Sequence, residues 1–312
     1  MKTLVAGGAG FIGSHLIDAL LNKGHEVVCV DNLSLGTRAN IAHLLGKADF
    51  RFYEFDLCDS ELLEKTMEKE GIEYVFQLAA NSDIQASANH PDIEYRNTYT
   101  STYSLLEAMR KNGVKKFFLA STSAVYGNKT DVLLEENTPG LSPVSYYGAA
   151  KLGCEALTSA YSHMNDMKSL IFRFPNVVGP RLTHGVIYDF MAKLKRNPQE
   201  LEILGDGKQT KPYIYVQDLV DAILYFYEKE HRGVALYNIG AEGSTSVNTI
   251  ADIVCGEMRL ANVRYRYTGG KVGWKGDVPK FQYCLEKVHS AGWKAAMSSD
   301  EAVREAVRRN LV

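Results

Sequence analysis

The sequence has few cysteines, and none is spaced for a disulfide framework or a metal site. Its 312 residues include five cysteines and eight histidines. The cysteine number is odd, and neither a C-x-x-C pair nor an H-x-x-x-H or His/Cys pairing occurs. Zinc sites and small disulfide-stabilised folds depend on such spacings. We therefore expect no metal site, and free, mostly buried thiols in a reducing, cytoplasmic environment.

Strong charge and long hydrophobic runs are also missing. The formal net charge of -2 supplies no basic surface, which argues against nucleic acid as a partner. The apolar run from Lys2 to Ile12 contains glycines and is far shorter than the roughly 20 residues of a membrane span. Its first residues resemble a signal peptide, but a glycine turn follows at once, so we interpret them as a strand. No membrane partner is expected.

Internal repeats and low-complexity tracts are absent, whereas hydrophobic residues make up 46% of the chain, enough for a packed core. Short apolar segments alternate with segments of helical periodicity through the first half. This alternation predicts an α/β protein with a Rossmann-type, doubly wound parallel sheet that binds ligands at the carboxyl ends of its strands. The predicted strands are 3–6, 26–30, 50–55, 74–78, 116–121 and 169–173, and the predicted helices are 13–22, 60–70, 97–112 and 147–164.

A glycine-rich turn follows the first predicted strand. Gly7, Gly10 and Gly13 allow backbone amides to approach a pyrophosphate and direct a helix N-terminus at it. Asp31 ends the second strand, where a carboxylate binds adenosine ribose hydroxyls and repels a 2′-phosphate, so NAD is favoured over NADP. A glycine turn without a ligand is the alternative. Asp56 ends the third strand, where its carboxylate can contact the edge of the adenine. An equally good alternative is that Asp56 caps the next helix.

The alternation ends near residue 176. Prolines then mark irregular connections, and helical patterns cover residues 189–196, 216–229 and 246–258. We expect residues 1–175 to form an NAD-binding Rossmann domain, to which segments at about 213–240 return. Residues 176–312 are expected to form mainly a smaller α/β substrate-binding region.

Tyr147 and Lys151 lie four residues apart on a predicted helix and therefore share a face. A lysine ammonium stabilises phenolate, so Lys151 and an oxidised nicotinamide are predicted to lower the pKa of Tyr147 and make it a usable base near neutrality. Tyr146 has no lysine at this spacing. Thr122 lies just past the fifth strand, where its hydroxyl can bind the substrate oxygen that loses a proton. The alternatives are that Tyr147 and Lys151 form an ordinary exposed pair on a helix and that Thr122 only stabilises a turn.

Together these motifs resemble the extended short-chain dehydrogenase/reductases of the NAD-dependent nucleotide-sugar epimerase and dehydratase family, with the pattern of UDP-glucose 4-epimerases. The resemblance covers nearly the whole chain. It is carried by residues 7–15 (GGAGFIGSH), 31–34, 56–57, 78–80, 97, 121–127, 147–151, 173–176 and 205–207.

The resemblance implies NAD as cofactor and assigns ligand residues. Tyr147 would be the catalytic base, Lys151 would bind the nicotinamide ribose, and Thr122 would assist at the sugar oxygen. The implied cofactor contacts are Gly7, Gly10, Phe11, Ile12, Gly13, Asp31, Asn32, Ser34, Asp56, Leu57, Leu78, Ala79, Ala80, Asn97, Ser121, Tyr147, Lys151 and Phe174. The implied substrate contacts are Thr122, Ser123, Asn176, Arg181, Lys211, Tyr213, Trp274 and Lys275.

The activity that the resemblance implies is 4-epimerisation of a nucleotide-diphosphate sugar, as in polysaccharide biosynthesis. Oxidation at C4 would give a 4-keto sugar, which turns over in the site and is reduced on its other face. A C4 dehydrogenase or keto-sugar reductase that stops at a half-reaction would use the same residues. A catalytically idle NAD(H)-binding regulator is the alternative from another class.

Several positions depart from the family pattern. A 4,6-dehydratase needs an Asp-Glu pair directly after Thr122, where this chain has Ser123 and Ala124, so dehydration is not expected. Gln77 stands where relatives usually carry a histidine. Two arginines that normally hold the diphosphate are replaced by Lys211, which lacks the guanidinium fork, and by Trp274. Lys275 or Arg181 would compensate for the lost arginine contacts with the diphosphate. Trp274 would either stack on the base of the nucleotide or fill the core. The sugar and nucleotide are therefore left open.

The resemblance also implies a homodimer in which two helices of each protomer pack across a two-fold axis. The alternative is that the apolar side chains of these helices face the sheet of their own protomer. The side chains expected at the dimer contact are Leu105, Leu106, Met109, Leu157, Ala160 and Tyr161.

Overall fold

A computed structural model describes residues 1–84, 86–130, 132–229, 231–270 and 278–311. In chain order its strands are β1 (Lys2–Ala6), β2 (Glu26–Asp31), β3 (Phe50–Glu54), β4 (Tyr74–Gln77), β5 (Lys116–Thr122), β6 (Leu133–Leu134), β7 (Lys168–Phe174), β8 (Asn176–Val178), β9 (Glu200–Ile203), β10 (Thr210–Lys211), β11 (Tyr213–Tyr215), β12 (Val234–Asn238), β13 (Thr245–Ser246), β14 (Arg264–Tyr267) and β15 (Gln282–Tyr283).

The α-helices are α1 (Phe11–Asn22), α2 (Ser60–Glu70), α3 (Asp92–Glu94), α4 (Ser101–Lys111), α5 (Tyr146–Met164), α6 (Val186–Arg196), α7 (Val216–Tyr227), α8 (Val247–Glu257), α9 (Glu286–Ser290) and α10 (Ser299–Leu311). Segments of 3₁₀-helix occur at Arg38–Leu44, Ala86–Ala88 and Ser123–Tyr126, and a π-helical segment spans Tyr95–Thr100. No helix in the described part of the chain has the length and hydropathy for a membrane crossing.

Seven of the described strands form one sheet in the order β12-β7-β5-β4-β1-β2-β3. The pairings that join β5, β4, β1, β2 and β3 are parallel. Consecutive residues of β1 and β2, such as Leu4, Val5, Val28 and Cys29, are all buried, as expected for strands covered on both faces. Successive strands run outward from β1 in both directions, so the carboxyl ends of β1 and β4 meet at a topological switch point. The predicted Rossmann-type, doubly wound sheet is confirmed.

Two compact units divide the chain. The first comprises Met1–Val125, Ser145–Arg173 and Ile223–Tyr237, and the second comprises Tyr126–Val144, Phe174–Ala222 and Asn238–Val312. These bounds differ from the sequence-based domains at residues 126–144, at residues 174–175, which belong to the second unit, and in the returning segment. Residues 126–144 belong to the second unit, and the segment that returns to the first unit is shorter than residues 213–240.

Each unit has its own hydrophobic core. In the first unit, aliphatic side chains of the sheet pack with those of α4 and α5. In the second unit, α6, α8 and α10 contribute side chains such as Phe190, Ile250 and Val303 to a separate cluster. The second unit also contains two-stranded pairings: β8–β11, β9–β14 and β6–β15 are parallel, and β10–β13 is antiparallel.

The helix predicted over residues 97–112 begins earlier and is irregular. α3, the π-helical segment and α4 follow one another without a break from Asp92 to Lys111. A π-helical turn inserts extra backbone into the helix and changes which side chains share a face, and such turns occur frequently at functional sites. In addition, β5 runs to Thr122, so this threonine is the last residue of the strand rather than the first residue after it.

Candidate active site

A tight glycine turn joins β1 to α1. Gly7 has a φ of 76°, which glycine adopts without strain, and its N–H donates to the Val30 carbonyl at 2.9 Å. Gly10 is the N-cap of α1 and offers no capping side chain. The first-turn N–H groups of Phe11 and Ile12 therefore remain available to an anion, as at other phosphate-binding helix N-termini. The turn fits the pyrophosphate predicted from the sequence.

Gly13 packs against the same turn and admits no side chain. A Cβ atom here would lie 2.2 Å from the Gly7 carbonyl oxygen. We expect Gly13→Ala to lower the free energy of unfolding by about 1–3 kcal/mol and to weaken NAD binding, because the turn must shift. Urea unfolding and NAD titration would measure both effects.

The matched control is Gly256→Ala in α8, where an added Cβ meets no atom within 4 Å. This substitution is expected to leave NAD binding unchanged and to stabilise by up to about 1 kcal/mol. Equal losses in the two variants would contradict the close-packing argument.

Asp31 ends β2 with its carboxylate almost fully buried. Its Oδ2 accepts the N–H of Ala9 at 2.9 Å, and its Oδ1 accepts the N–H of Leu33 at 2.8 Å. Burial raises the pKa of Asp31, and these two hydrogen bonds oppose the rise. Each carboxylate oxygen keeps a second lone pair. Asp31 thus organises the glycine turn and can still accept a ribose hydroxyl, as its predicted role requires.

The segment after β2 folds back over the glycine turn. Asn32 and Ser34 are both exposed, and the Asn32 Oδ1 accepts the Ser34 N–H at 3.0 Å. The side chain of Asn40 donates to the carbonyl of Ala9 at 2.9 Å. A Cβ on Gly36 would lie 2.9 Å from both carboxylate oxygens of the aspartate. Sequence reasoning missed Gly36 and Asn40. The only signal in the sequence is that a glycine and an asparagine follow Asp31 within ten residues.

Asp56 lies two residues past β3 and is half-buried. It accepts the N–H of Cys58 at 2.9 Å and a guanidinium N–H of Arg96 at 2.8 Å. Burial acts to raise the pKa of Asp56, but these two partners outweigh it and lower the pKa. The N-cap of α2 is Asp59, which accepts the Leu62 N–H at 3.1 Å. The helix-capping alternative for Asp56 is therefore wrong.

The other first-unit residues predicted to contact the cofactor cluster around β4. Leu57 is buried in the core. Leu78, Ala79 and Ala80 follow β4 and are half-buried. The backbone here lies directly against the glycine turn, since a Cβ on Gly7 would be 2.7 Å from the Ala79 nitrogen. These residues therefore line one side of the turn that would hold the dinucleotide.

The glutamine at the position where relatives carry a histidine has a structural role. Gln77 is completely buried at the end of β4. Its Nε2 donates to the Thr102 hydroxyl at 3.0 Å, and its Oε1 accepts the Ala79 N–H at 3.2 Å. The amide therefore ties the end of β4 to α4 beside the cofactor side of the sheet.

Thr122 and Tyr147 meet at the carboxyl end of β5. Thr122 is 9% exposed, and Ser123 follows it, half-buried. Tyr147 is the second residue of α5, which Ser145 caps. The side chains of Tyr147 and Thr122 interact, and this interaction favours the ionised form of the tyrosine. The neighbouring Tyr146 is 53% exposed, so the structure selects Tyr147 from this pair.

Lys151 lies one turn further along α5 and is only 2% exposed. Its Nζ donates to the Ala120 carbonyl at 2.7 Å and lies 5.9 Å from the centroid of the Tyr147 ring. Burial lowers the pKa of Lys151, whereas neighbouring acidic groups oppose the decrease. The predicted pairing of the tyrosine ring with the lysine ammonium is therefore present.

The predicted lowering of the Tyr147 pKa by Lys151 is absent. The pKa of Tyr147 is raised, first by burial and second by the negative charge of Glu94, while the interaction with Thr122 opposes the rise. A phenolate here would lose part of its hydration and would be repelled by the Glu94 carboxylate. The expectation that Lys151 lowers this pKa is therefore corrected. A bound oxidised nicotinamide, whose positive charge the sequence argument also invoked, remains a contribution that can lower it.

A buried ion pair joins α5 to β7. Arg173 donates to both carboxylate oxygens of Glu155, at 2.9 Å from Nε and 2.6 Å from Nη2. The Ser121 hydroxyl donates to the same carboxylate, and all three side chains are buried. Ser121, which the resemblance placed among the cofactor contacts, therefore uses its hydroxyl to anchor β5 to α5.

A second buried polar network lies in the irregular helix. Asn97, predicted to support the site, is half-buried, and its carbonyl accepts the Ser101 hydroxyl at 2.7 Å. The adjacent Thr98 is fully buried, donates to Glu94 at 2.8 Å and accepts the Asn81 N–H at 3.2 Å. Sequence reasoning missed Glu94, Asn81 and Thr98, because these polar residues form no recognisable motif and their burial depends on the tertiary packing.

The remaining predicted ligand residues belong to the second unit. Phe174 is 9% exposed, and Tyr213 is buried in the second core. Asn176 is exposed and lies opposite Tyr213 in the β8–β11 ladder. Arg181 and Lys211 are half-buried, and Arg181 has a left-handed backbone with a φ of 69°. Two further predicted substrate contacts, Trp274 and Lys275, lie outside the described residues.

The side chains predicted for a dimer contact divide into two groups. The side chains on α4 are Leu105, Leu106 and Met109, which have no exposed surface and pack in the first core. Their assignment to a dimer contact is therefore wrong, and they face the interior of their own protomer. On α5, Ala160 is exposed, and Leu157 and Tyr161 are half-buried. On the irregular helix that contains α4, the side chains of Tyr95 and Tyr103 are 68% and 46% exposed.

Known proteins share both the sequence pattern and the fold. The NAD dependent epimerase/dehydratase family matches residues 3–240. The uncharacterised UDP-glucose epimerase YtcB of Bacillus subtilis is 34% identical over 262 residues, 81% of each chain. The dTDP-D-glucose 4,6-dehydratase of Mus musculus is 30% identical over 315 residues, 98% of this chain and 87% of that one.

A solved structure agrees with these relatives. The UDP-glucose 4-epimerase of Thermotoga maritima, determined with UDP-glucose, superposes with a TM-score of 0.89 at 32% identity. The match covers 100% of this chain and 99% of that one. The match over most of the chain, together with the glycine turn and the Tyr147–Lys151 pair, confirms the predicted resemblance. The chain belongs to the NAD dependent epimerase/dehydratase family and is an enzyme with NAD as its cofactor.

Proposed function

We propose that this chain is a nucleotide-sugar 4-epimerase. The observation that carries the proposal is the grouping of Thr122, Tyr147 and Lys151, with Ser123 and Ala124 directly after the threonine. Neither Ser123 nor Ala124 can replace the Asp-Glu pair that a 4,6-dehydratase needs for proton transfer. Identity does not separate the two activities, because the epimerase and dehydratase relatives are 34% and 30% identical.

The proposed reaction assigns one task to each catalytic side chain. Tyr147 removes the proton from the sugar C4 hydroxyl, and Thr122 orients the same oxygen by a hydrogen bond. When bound, NAD⁺ would supply the hydride-transfer chemistry, that is, oxidation of the sugar at C4 and reduction of the 4-keto sugar on its opposite face. Lys151 binds the nicotinamide ribose, and the positive charge of bound NAD⁺ would favour the phenolate form of Tyr147. Tyr147 finally returns its proton to the sugar oxygen, so the chain regains its starting state.

We propose that the first unit binds NAD and the second binds the sugar nucleotide. Arg181 and Lys211 supply positive charge for the diphosphate, and only the guanidinium offers a planar fork of donors. Asn176 is exposed on β8 and adds an amide donor. Tyr213, Trp274 and Lys275 complete the proposed set. The Thermotoga maritima epimerase was determined with UDP-glucose, which makes a UDP-hexose the first substrate to test.

We further propose a cytoplasmic homodimer that serves polysaccharide biosynthesis. The exposed residues Tyr95, Tyr103 and Ala160 support a contact through the face formed by the irregular helix and α5. Sedimentation velocity of the purified protein would give the mass of the particle.

Mass analysis of sugars incubated with the purified protein tests the function. A panel of UDP-, dTDP-, GDP- and CDP-sugars is used, and NADH absorbance is followed in parallel. A C4-epimerised product without net NADH supports the proposal and identifies the substrate. NADH accumulation with a 4-keto product would indicate a half-reaction dehydrogenase. Retained NAD with no reaction on any sugar would favour the idle regulator.

A further inference from the structure

Glu94 is a buried carboxylate that the proposed reaction does not use. It lies at the end of α3 and is 1% exposed. Its Oε1 accepts the side-chain amide of Asn81, and its Oε2 accepts the Thr98 hydroxyl, each at 2.8 Å. No cation lies within 4 Å of the Glu94 carboxylate among the residues described. Its charge is therefore solvated only by two neutral donors.

The irregular helix that carries Glu94 packs against the catalytic face of α5. A Cβ on Gly153 would lie 2.8 Å from the Tyr99 ring. The Cys154 thiol lies 3.4 Å from the Thr98 carbonyl and can donate to it. Lys151 lies one turn before Cys154, so the Thr98 end of the buried network and the catalytic lysine share one packed interface.

The other buried carboxylate near the site differs from Glu94 in its partner. Glu155 is held by the guanidinium of Arg173 with two hydrogen bonds, so its charge is largely balanced. A buried carboxylate without a cation loses hydration that two neutral hydrogen bonds replace only in part. A glutamine would avoid that cost, but its amide nitrogen cannot accept the second hydrogen bond. The carboxylate therefore accepts from both donors and, in addition, places a negative charge in the packed interface.

The charge of Glu94 acts on both members of the catalytic pair. Burial is the largest cause of the raised pKa of Tyr147, and the charge of Glu94 is the second. The Cys154 thiol raises this pKa further, whereas the interaction with Thr122 lowers it. Burial lowers the pKa of Lys151, and Cys154, Glu94 and Glu155 oppose that decrease. Glu94 thus favours a protonated tyrosine beside a charged lysine.

We propose that Glu94 is a positioning residue that sets the protonation state of the Tyr147–Lys151 pair. This inference rests on the proposed function, because it concerns the base of the same reaction. The carboxylate opposes the loss of the lysine charge that burial favours, and it disfavours the phenolate form of the tyrosine. Both effects come from its charge, and neither requires contact with substrate.

The proposal predicts a shift of the whole pH profile. Activity needs ionised Tyr147 and charged Lys151, so it rises through the pKa of the tyrosine and falls through that of the lysine. Glu94→Gln removes the charge that raises both values, so both limbs move to lower pH, by about one unit. A structural role alone would lower kcat at every pH and leave the limbs in place.

A direct titration keeps this test separate from the proposed function. Tyrosinate absorbance is followed with pH on NAD⁺-saturated protein, and the curve of the corresponding Tyr147→Phe protein is subtracted, so no sugar is needed. Glu94→Gln is expected to lower the Tyr147 midpoint by about one unit. Glu94→Asp, which keeps the charge, and Asp92→Asn, which removes an exposed charge from the same helix, are expected to leave it nearly unchanged.

Two results would overturn the proposal. One is an unchanged midpoint in folded Glu94→Gln, and the other is an equal shift in Asp92→Asn. If Glu94→Gln does not fold, Glu94→Met removes the charge at similar volume and is titrated in its place. A shifted midpoint in a protein that epimerises no sugar would support the role of Glu94 while rejecting the proposed function.

Discussion

Tyr147→Phe is expected to lower kcat for sugar turnover by about 10²–10⁴-fold, the usual contribution of a general base. Phenylalanine keeps the ring that lies 5.9 Å from the Lys151 ammonium and removes only the hydroxyl that interacts with Thr122. NAD binding and the unfolding midpoint are expected to change little, since the glycine turn and the core are untouched. Steady-state kinetics on the substrate found in the panel, with an NAD titration of the same sample, would measure both.

Tyr146→Phe is the matched control. It is the adjacent tyrosine on the same helix and is 53% exposed, so its hydroxyl is expected to be dispensable and kcat to stay near that of the unmodified protein. A comparable loss in both variants would point to damage at the start of α5. Full activity in Tyr147→Phe would remove this residue from the mechanism.

Glu155→Ala is expected to cost about 3–5 kcal/mol of stability, as for other broken buried ion pairs. The substitution leaves the Arg173 guanidinium, which is 3% exposed, without its carboxylate partner. It also removes the acceptor of the Ser121 hydroxyl, and with it a link between β5 and α5. Urea unfolding followed by circular dichroism would give the change in the free energy of unfolding.

The control for this prediction is an ion pair on the surface. Glu61 and Lys65 pair at i,i+4 on α2 with both side chains largely exposed. Glu61→Ala is expected to change the stability far less than Glu155→Ala, because water and salt screen an exposed pair. Similar losses in the two variants would contradict the argument that burial of Arg173 makes the Glu155 substitution costly.

Much of the site follows from short stretches of sequence. The glycine spacing at residues 7–13 predicts the phosphate turn because a strand precedes it and a helix follows. The four-residue spacing of Tyr147 and Lys151 predicts a shared helix face, and the two side chains do lie together. These features are determined locally, by backbone conformation and helical periodicity, so a single sequence is sufficient to find them.

Other features depended on residues distant in the chain. Leu105, Leu106 and Met109 have the pattern of either a core face or a dimer face, and only the packing of α4 decided for the core. The pairing of Glu155 with Arg173 joins two elements that no motif connects.

The sequence by itself determined the fold class and the glycine turn, and it supplied Tyr147 as the proposed catalytic base. The tertiary structure alone decided the electrostatic setting of that tyrosine. Burial and the charge of Glu94 raise the pKa of Tyr147, against the expectation from the neighbouring lysine. The physical reason is that desolvation and Coulomb interactions depend on distance in space, and no periodic signal in the chain marks Glu94 as a buried residue.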